Sequence, residues 1–141
     1  MKFRKIIETC IYSSNLEVIK DFYIKTIGLE FISEEQGRHV FLKAGKSMLL
    51  IFNPENTRSV SGNNKKFPFH GATTPPACIH FALEIENEDL ENSMNILKQN
   101  GIDIEMEVSW AEKQGSKSIY FRDPTGNLVE FITKCSWPLE D

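Results

Sequence analysis

The sequence predicts an α+β fold built from two βαβββ modules in tandem, module one over about 1–53, a linker over 54–76, module two over 77–134 and a short tail over 135–141. Three observations carry this. Each half opens on an alternating, β-branched run (5–13 and 78–85) that leads into a helical pattern closed by glycine. The two halves keep the same phase: Gly28 lies 28 − 8 = 20 residues after Glu8, and Gly101 lies 101 − 80 = 21 residues after His80. Between them, 53–76 holds four prolines (Pro54, Pro68, Pro75, Pro76) and many Asn, Ser and Thr, which is a composition that interrupts regular structure.

In the first half, KIIETCIYS (5–13) places Ile7, Thr9 and Ile11 on one strand face and Glu8, Cys10 and Tyr12 on the other. Ser14 or Asn15 can cap the following helix, where Leu16, Ile19, Phe22, Tyr23 and Ile27 recur at helical spacing before Gly28 at the C′ position. Three short runs, LEFIS, HVFLKA and SMLLIF, read as strands, and Gly45-Lys46 between the last two reads as a tight hairpin turn. The linker carries Phe67, Phe69 and His70, which are costly to leave in water, so part of it is expected to fold over a pocket.

The second half repeats the plan. CIHFALEI is a strand, ENEDLENSMNILKQNG an acid-started amphipathic helix ending at Gly101, and IDIEMEVS, SKSIYFRD and NLVEFIT are three further strands. DPTGN (123–127) is a turn, because Pro presets φ and Gly tolerates positive φ. GLEF at 28–31 matches GIDI at 101–104, each a helix-stop glycine followed by alternating apolar and acidic residues. Duplication about a pseudo-twofold axis follows.

Bulk properties exclude several functions. With 141 residues, 40% hydrophobic and 26% charged, the chain can bury one continuous core but has no apolar run that spans a bilayer. A net charge of −4 with scattered lysines disfavours nucleic acid and anionic membranes as partners. No secretory signal is visible at the start, so the expected compartment is the cytoplasm. Cys10, Cys78 and Cys135 are odd in number, widely spaced and without a CxxC pair, which suits buried reduced thiols.

Three polar side chains stand among apolar neighbours on strand faces: Glu8 with Cys10, His80 with Cys78 and Ala82, and Glu130 with Leu128 and Ile132. If the helices cover the opposite faces, these groups point inward, where an uncompensated carboxylate is costly. Two carboxylates and an imidazole converging on a cavity suit a divalent ion, Fe, Mn, Ni, Co or Zn, with open positions for water or substrate oxygens. Singly, Glu8 reads as a solvated strand residue, His80 as a satisfied core histidine and Glu130 as a partner for a cross-strand lysine; the equivalence of Glu8 with His80 across the repeat favours ligands. Tyr12, Arg38, His39, His70, Trp110, Tyr120 and Arg122 are candidate substrate contacts, since aromatics make walls and arginine recognises carboxylate or phosphate. Arg122 also has a plainer reading, neutralising its neighbour Asp123, and Trp110 and Trp137 one as packing residues.

ETCIYSSNLEVIKDFYIKTIGLEF, together with HFALEIEN and IYFRDPTGNLVEFIT, resembles the two halves of the vicinal oxygen chelate superfamily. That superfamily includes glyoxalase I, extradiol dioxygenases, fosfomycin-resistance thiol transferases, methylmalonyl-CoA epimerase and the metal-free bleomycin-binding proteins. The resemblance implies a glyoxalase-like half-open barrel with ligands from the first and last strand of each half, at Glu8, His80 and Glu130, while the remaining position falls near Leu50, which cannot ligate. A glyoxalase I site has four ligands; three are the count of the dioxygenase and thiol-transferase branches, whose first ligand is usually histidine where this chain has Glu8. It implies a metal-dependent enzyme of lyase, isomerase or dioxygenase type acting on a small oxygen-chelating substrate, with Glu130 or Glu8 as base. The alternative is a metal-free small-molecule or drug-binding protein like the bleomycin binders. In either case a homodimer is expected. No nucleophilic triad or nucleotide fingerprint competes, and GKS at 45–47 lacks the upstream glycine of a phosphate loop.

Overall fold

A computed structural model describes residues 6–57, 79–111 and 115–134, in two units, Met1–Ala77 and Cys78–Asp141. Cys78, Cys135, Trp137, His70 with its phenylalanine neighbours, most of the linker and the C-terminal tail lie outside the described residues.

The first unit runs β1 (Glu8–Tyr12), α1 (Leu16–Asp21), β2 (Glu30–Glu35), β3 (His39–Ala44) and β4 (Ser47–Phe52). Its sheet has the order β1-β4-β3-β2, with β1 parallel to β4 and the other pairs antiparallel. One face supplies the core: Ile11, Val40, Leu42 and Ile51 are fully buried, with Leu49 nearly so. Leu16, Ile19, Phe22 and Tyr23 of the helical segment are buried as well, and α1 lies near β3. Each such aliphatic side chain contributes about 1.5–3 kcal/mol by leaving water. Asn15, one of the two expected caps, takes the position, its side chain accepting from Val18 N.

The helix does not continue as one regular α-helix to Gly28. From Phe22 to Ile27 it widens into a π-helix, and Gly28, at φ 86°, donates its N–H to Tyr23 O. A wider turn rotates less per residue, so the adjacent Phe22 and Tyr23 can both face inward; their rings meet edge to face at 5.1 Å. The helical stripe of the sequence includes both residues; the widening itself leaves no mark in that spacing.

The second unit repeats the order: β5 (His80–Ile85), α2 (Leu90–Gln99), β6 (Ile104–Trp110), β7 (Ser116–Arg122) and β8 (Leu128–Thr133), with sheet order β5-β8-β7-β6 and β5 parallel to β8. Even the irregularities recur. A register shift follows Phe31 in β2 and Ile104 in β6, at 31 − 28 = 3 and 104 − 101 = 3 residues past the helix-stop glycines. The shared plan therefore extends to the defects of the sheets, as the duplicated text implies.

The turn after β7 fixes where the second unit's functional side chains lie. Asp123, only 4% exposed, accepts from Thr125 N, Asn127 N and Asn127 Nδ2. Asn127 in turn accepts from Ile79 N through Oδ1, and Leu128 N donates to Ile79 O. The turn thus clamps the entry of β5 onto β8 and sets their register. Asp123→Ala strands these buried donors and is expected to cost about 2–4 kcal/mol, read as a lower urea midpoint at unchanged slope.

Candidate metal centre

The register of three strands in the second unit brings together the polar side chains that matter. β5 pairs with β8 so that His80 is opposite Leu128 and Ala82 opposite Glu130, while β7 places Tyr120 opposite Glu130. His80, Glu130 and Tyr120 consequently share one face of the sheet, across three adjacent strands.

The contacts there are specific. Tyr120 donates its phenol hydrogen to Glu130 Oε1 at 2.9 Å. The other carboxylate oxygen, Oε2, lies 3.3 Å from His80 Nε2. His80 Nδ1 is 3.2 Å from the Leu128 carbonyl oxygen, which can only accept, so Nδ1 carries the hydrogen. In the neutral ring Nε2 then presents a lone pair to a carboxylate lone pair. These repel unless a cation lies between them, either a second ring proton or a metal ion.

The spacing of these two donor atoms suits an ion. Metal–ligand distances of about 2.0–2.2 Å at angles between square and tetrahedral hold two donor atoms about 2.9–3.5 Å apart. The observed separation of 3.3 Å falls inside that range. A ligand histidine whose other nitrogen donates to a backbone carbonyl, and a ligand carboxylate held by a hydroxyl, are the outer contacts such sites use. Exposure is divided in the same sense: the Glu130 side chain is 8% exposed and that of His80 50%, so the carboxylate is held in the sheet while the imidazole edge stays open to incoming groups. Burial, then the Glu130 hydrogen bond and charge, push the Tyr120 phenol up, opposed by Ser118, so it keeps its hydrogen for that bond.

The first unit has the same lattice with different chemistry. Glu8 begins β1 as His80 begins β5; Cys10 is opposite Leu50 as Ala82 is opposite Glu130; Phe41 is opposite Leu50 as Tyr120 is opposite Glu130. Where the second unit carries a hydroxyl and a carboxylate, the first carries a phenyl and an isobutyl group. Leu50 thus holds in its ladder the register position that Glu130 holds in the second, and Glu8 that of His80. Glu8 is exposed, and it raises the Cys10 thiol pKa after burial has done so. Among the described residues, no three His, Cys, Asp or Glu side chains are gathered around one point.

The remaining candidates divide by unit. Tyr12 stands by Phe52 at 6.4 Å, and His39 stacks on Phe41 at 4.1 Å and meets Phe52 at 5.8 Å, forming an aromatic cluster at one end of the first sheet. Burial, with Arg38 adding to it, lowers the His39 pKa against the pull of Glu35, and its buried Nδ1 has no hydrogen-bond partner. Arg38 donates to Asn56 O and approaches Glu35 at 3.6 Å, fastening one loop to the next. Arg122 pairs with Glu105 and donates to Gly126 O. Trp110 donates from its indole to Ser118 Oγ. The part played by Ser118 and by the Leu128 carbonyl is absent from the sequence reading, which weighed side chains with obvious chemistry.

Comparison with known proteins decides the family. The model for the glyoxalase/bleomycin resistance protein/dioxygenase superfamily matches residues 5–131. The chain belongs to this superfamily. Among solved members of similar fold, a lactoylglutathione lyase from Agrobacterium tumefaciens is 32% identical, with a TM-score of 0.85 over 96% of this chain and 97% of that one. A glyoxalase/bleomycin resistance protein/dioxygenase from Nocardioides shares the fold at 16% identity and a TM-score of 0.72, over 100% of this chain and 91% of the other. An integron cassette protein from V. cholerae does so at 22% and 0.70, over 95% and 98%. No curated protein sequence matches the chain. The α+β fold of tandem modules expected from the sequence is that of the superfamily. Among the described residues no helix is long and apolar enough to cross a membrane.

Proposed function

We propose that this superfamily member is a divalent-metal-dependent enzyme of lyase type acting on a small substrate that offers two neighbouring oxygens, with His80, Glu130 and Glu8 as the metal ligands. The observation that carries the reading is the pair His80 Nε2 and Glu130 Oε2, 3.3 Å apart, each group oriented from behind by a second contact. Glu8 enters as third ligand on its register equivalence with His80. Likeness to a lactoylglutathione lyase at 32% identity favours lyase chemistry over the dioxygenase branch. Leu50 in the fourth ligand position supports a three-ligand site and a substrate of its own. A small molecule as partner and a homodimer belong to the same proposal.

The bound ion, whether Fe, Mn, Ni, Co or Zn, would supply a Lewis acid that polarises a substrate oxygen. The protein's own groups do the rest. The Leu128 carbonyl holds the His80 ring in one tautomer, Tyr120 holds Glu130 by Oε1, and a carboxylate oxygen of Glu130 or Glu8 takes the substrate proton. Metal content after chelation and reloading tests this on wild type and on Glu8→Gln, His80→Ala and Glu130→Gln. Wild type is expected to reload one ion per chain and the variants to retain little; unchanged loading in all three would end the metal reading.

A second reading has an observation of its own. Tyr12, His39, Phe41 and Phe52 make an aromatic and apolar cluster with Leu50 where the second unit has Glu130, as suits a metal-free binder of bulky planar compounds. Tight binding of such a compound by fully chelated protein favours it; stoichiometric metal with turnover excludes it.

A further inference from the structure

We infer that Tyr120 is the positioning residue for Glu130: its phenol occupies one carboxylate oxygen so that only the other is presented to the ion beside His80. The inference rests on the metal reading above and deepens it, assigning the Tyr120–Glu130 bond the task of setting which carboxylate oxygen is offered.

Three observations lead to it. The bond itself is short and direct, 2.9 Å from the phenol to Oε1, and it closes on a carboxylate that is 8% exposed and therefore has little water to compete for that oxygen. Oε2 is left toward His80 Nε2, so the two oxygens of one carboxylate have separate partners. The duplicated half supplies a control: in the lattice position of Tyr120 the first unit has Phe41, and in that of Glu130 it has Leu50. Hydroxyl and carboxylate are present together or absent together, as expected if the hydroxyl serves the carboxylate.

The phenol hydrogen is aimed at Glu130 Oε1. A carboxylate held in this way offers one oxygen; released, it could rotate and offer two, changing the coordination number.

The test is a titration of metal-free wild type and Tyr120→Phe with Co2+ alone, following affinity by calorimetry and geometry by the visible ligand-field bands, with a thermal melt of each metal-free protein. Phenylalanine keeps the ring and already stands in the equivalent place in the first unit. Loss of the outer contact is expected to weaken Co2+ binding about 10–100-fold and to alter the bands. In a Glu130→Gln background the same change is expected to add nothing further. Wild type that binds Co2+ alongside a Tyr120→Phe protein with equal affinity and identical bands would overturn the inference and leave the metal reading standing. Additive losses in the double variant would overturn it too, whereas wild type that takes up no Co2+ ends the metal reading and the inference with it.

Discussion

Glu130→Gln is expected to lose divalent-ion affinity by well over 100-fold while the metal-free protein melts no lower than wild type. The two halves of that expectation come from one geometry. Glutamine keeps the shape of glutamate, and its carbonyl oxygen can still accept from Tyr120 where Oε1 does at 2.9 Å. Its amide nitrogen then faces His80 Nε2, where Oε2 stands at 3.3 Å, and donates to the lone pair that Nε2 exposes while Nδ1–H is held by Leu128 O. With the ring neutral, an acceptor–acceptor contact becomes a hydrogen bond, and a nearly buried charge is removed, which together offset the lost charge-assisted bond from the phenol. The ion meanwhile loses both a formal charge and a ligand oxygen, which exceeds the 10–100-fold cost of removing a supporting contact alone. If the pair were instead a salt bridge kept for stability, removing the carboxylate would unpair an imidazolium and lower the melting temperature. Melting curves of chelated protein thus separate the two by the sign of the shift, and calorimetry with a divalent ion reads the other half.

Much of this site is legible in the sequence once hairpins are treated as addition. A two-residue turn at Gly45-Lys46 pairs residues whose numbers sum to 45 + 46 = 91, and 41 + 50 = 91 puts Phe41 opposite Leu50. In the other half Arg122 is opposite Leu128, so pairs sum to 250, and 120 + 130 = 250 puts Tyr120 opposite Glu130. The same text allowed Tyr120 only as a substrate contact, because a candidate was weighed by its own chemistry and not by the residue across the ladder. Strand faces and helix stops were legible because alternation and positive-φ glycine are local properties; Gly28 and Gly101 both take φ above 70°. The π-helix of 22–27, the parallel pairing of β1 with β4, and the backbone carbonyl that selects the His80 tautomer were not, since each depends on what packs against it.

Leu50→Glu is expected to cost about 3–5 kcal/mol of stability, and Phe41→Tyr in the same chain to return about 1.5–3 kcal/mol of it. Leu50 is 8% exposed, so the substitution gives up its burial and places a charge among Cys10, Phe41 and Phe52, with Glu8 on the same face adding repulsion. In the second unit the same lattice position tolerates a carboxylate on a residue 6% exposed, beside the phenol that donates to it and the His80 ring at 3.3 Å where the first unit has Glu8. If that donor is what makes the carboxylate affordable, supplying a hydroxyl at Phe41 should rescue Leu50→Glu although it gives nothing to wild type, where no acceptor faces it. A double-mutant cycle in urea isolates this term. Strictly additive effects would show that the first unit's sheet cannot hold the pair in the geometry of the second, and that the two halves have diverged in backbone as well as in side chains; a coupling of the stated size would show that two side chains account for the chemical difference between equivalent positions of one duplicated fold.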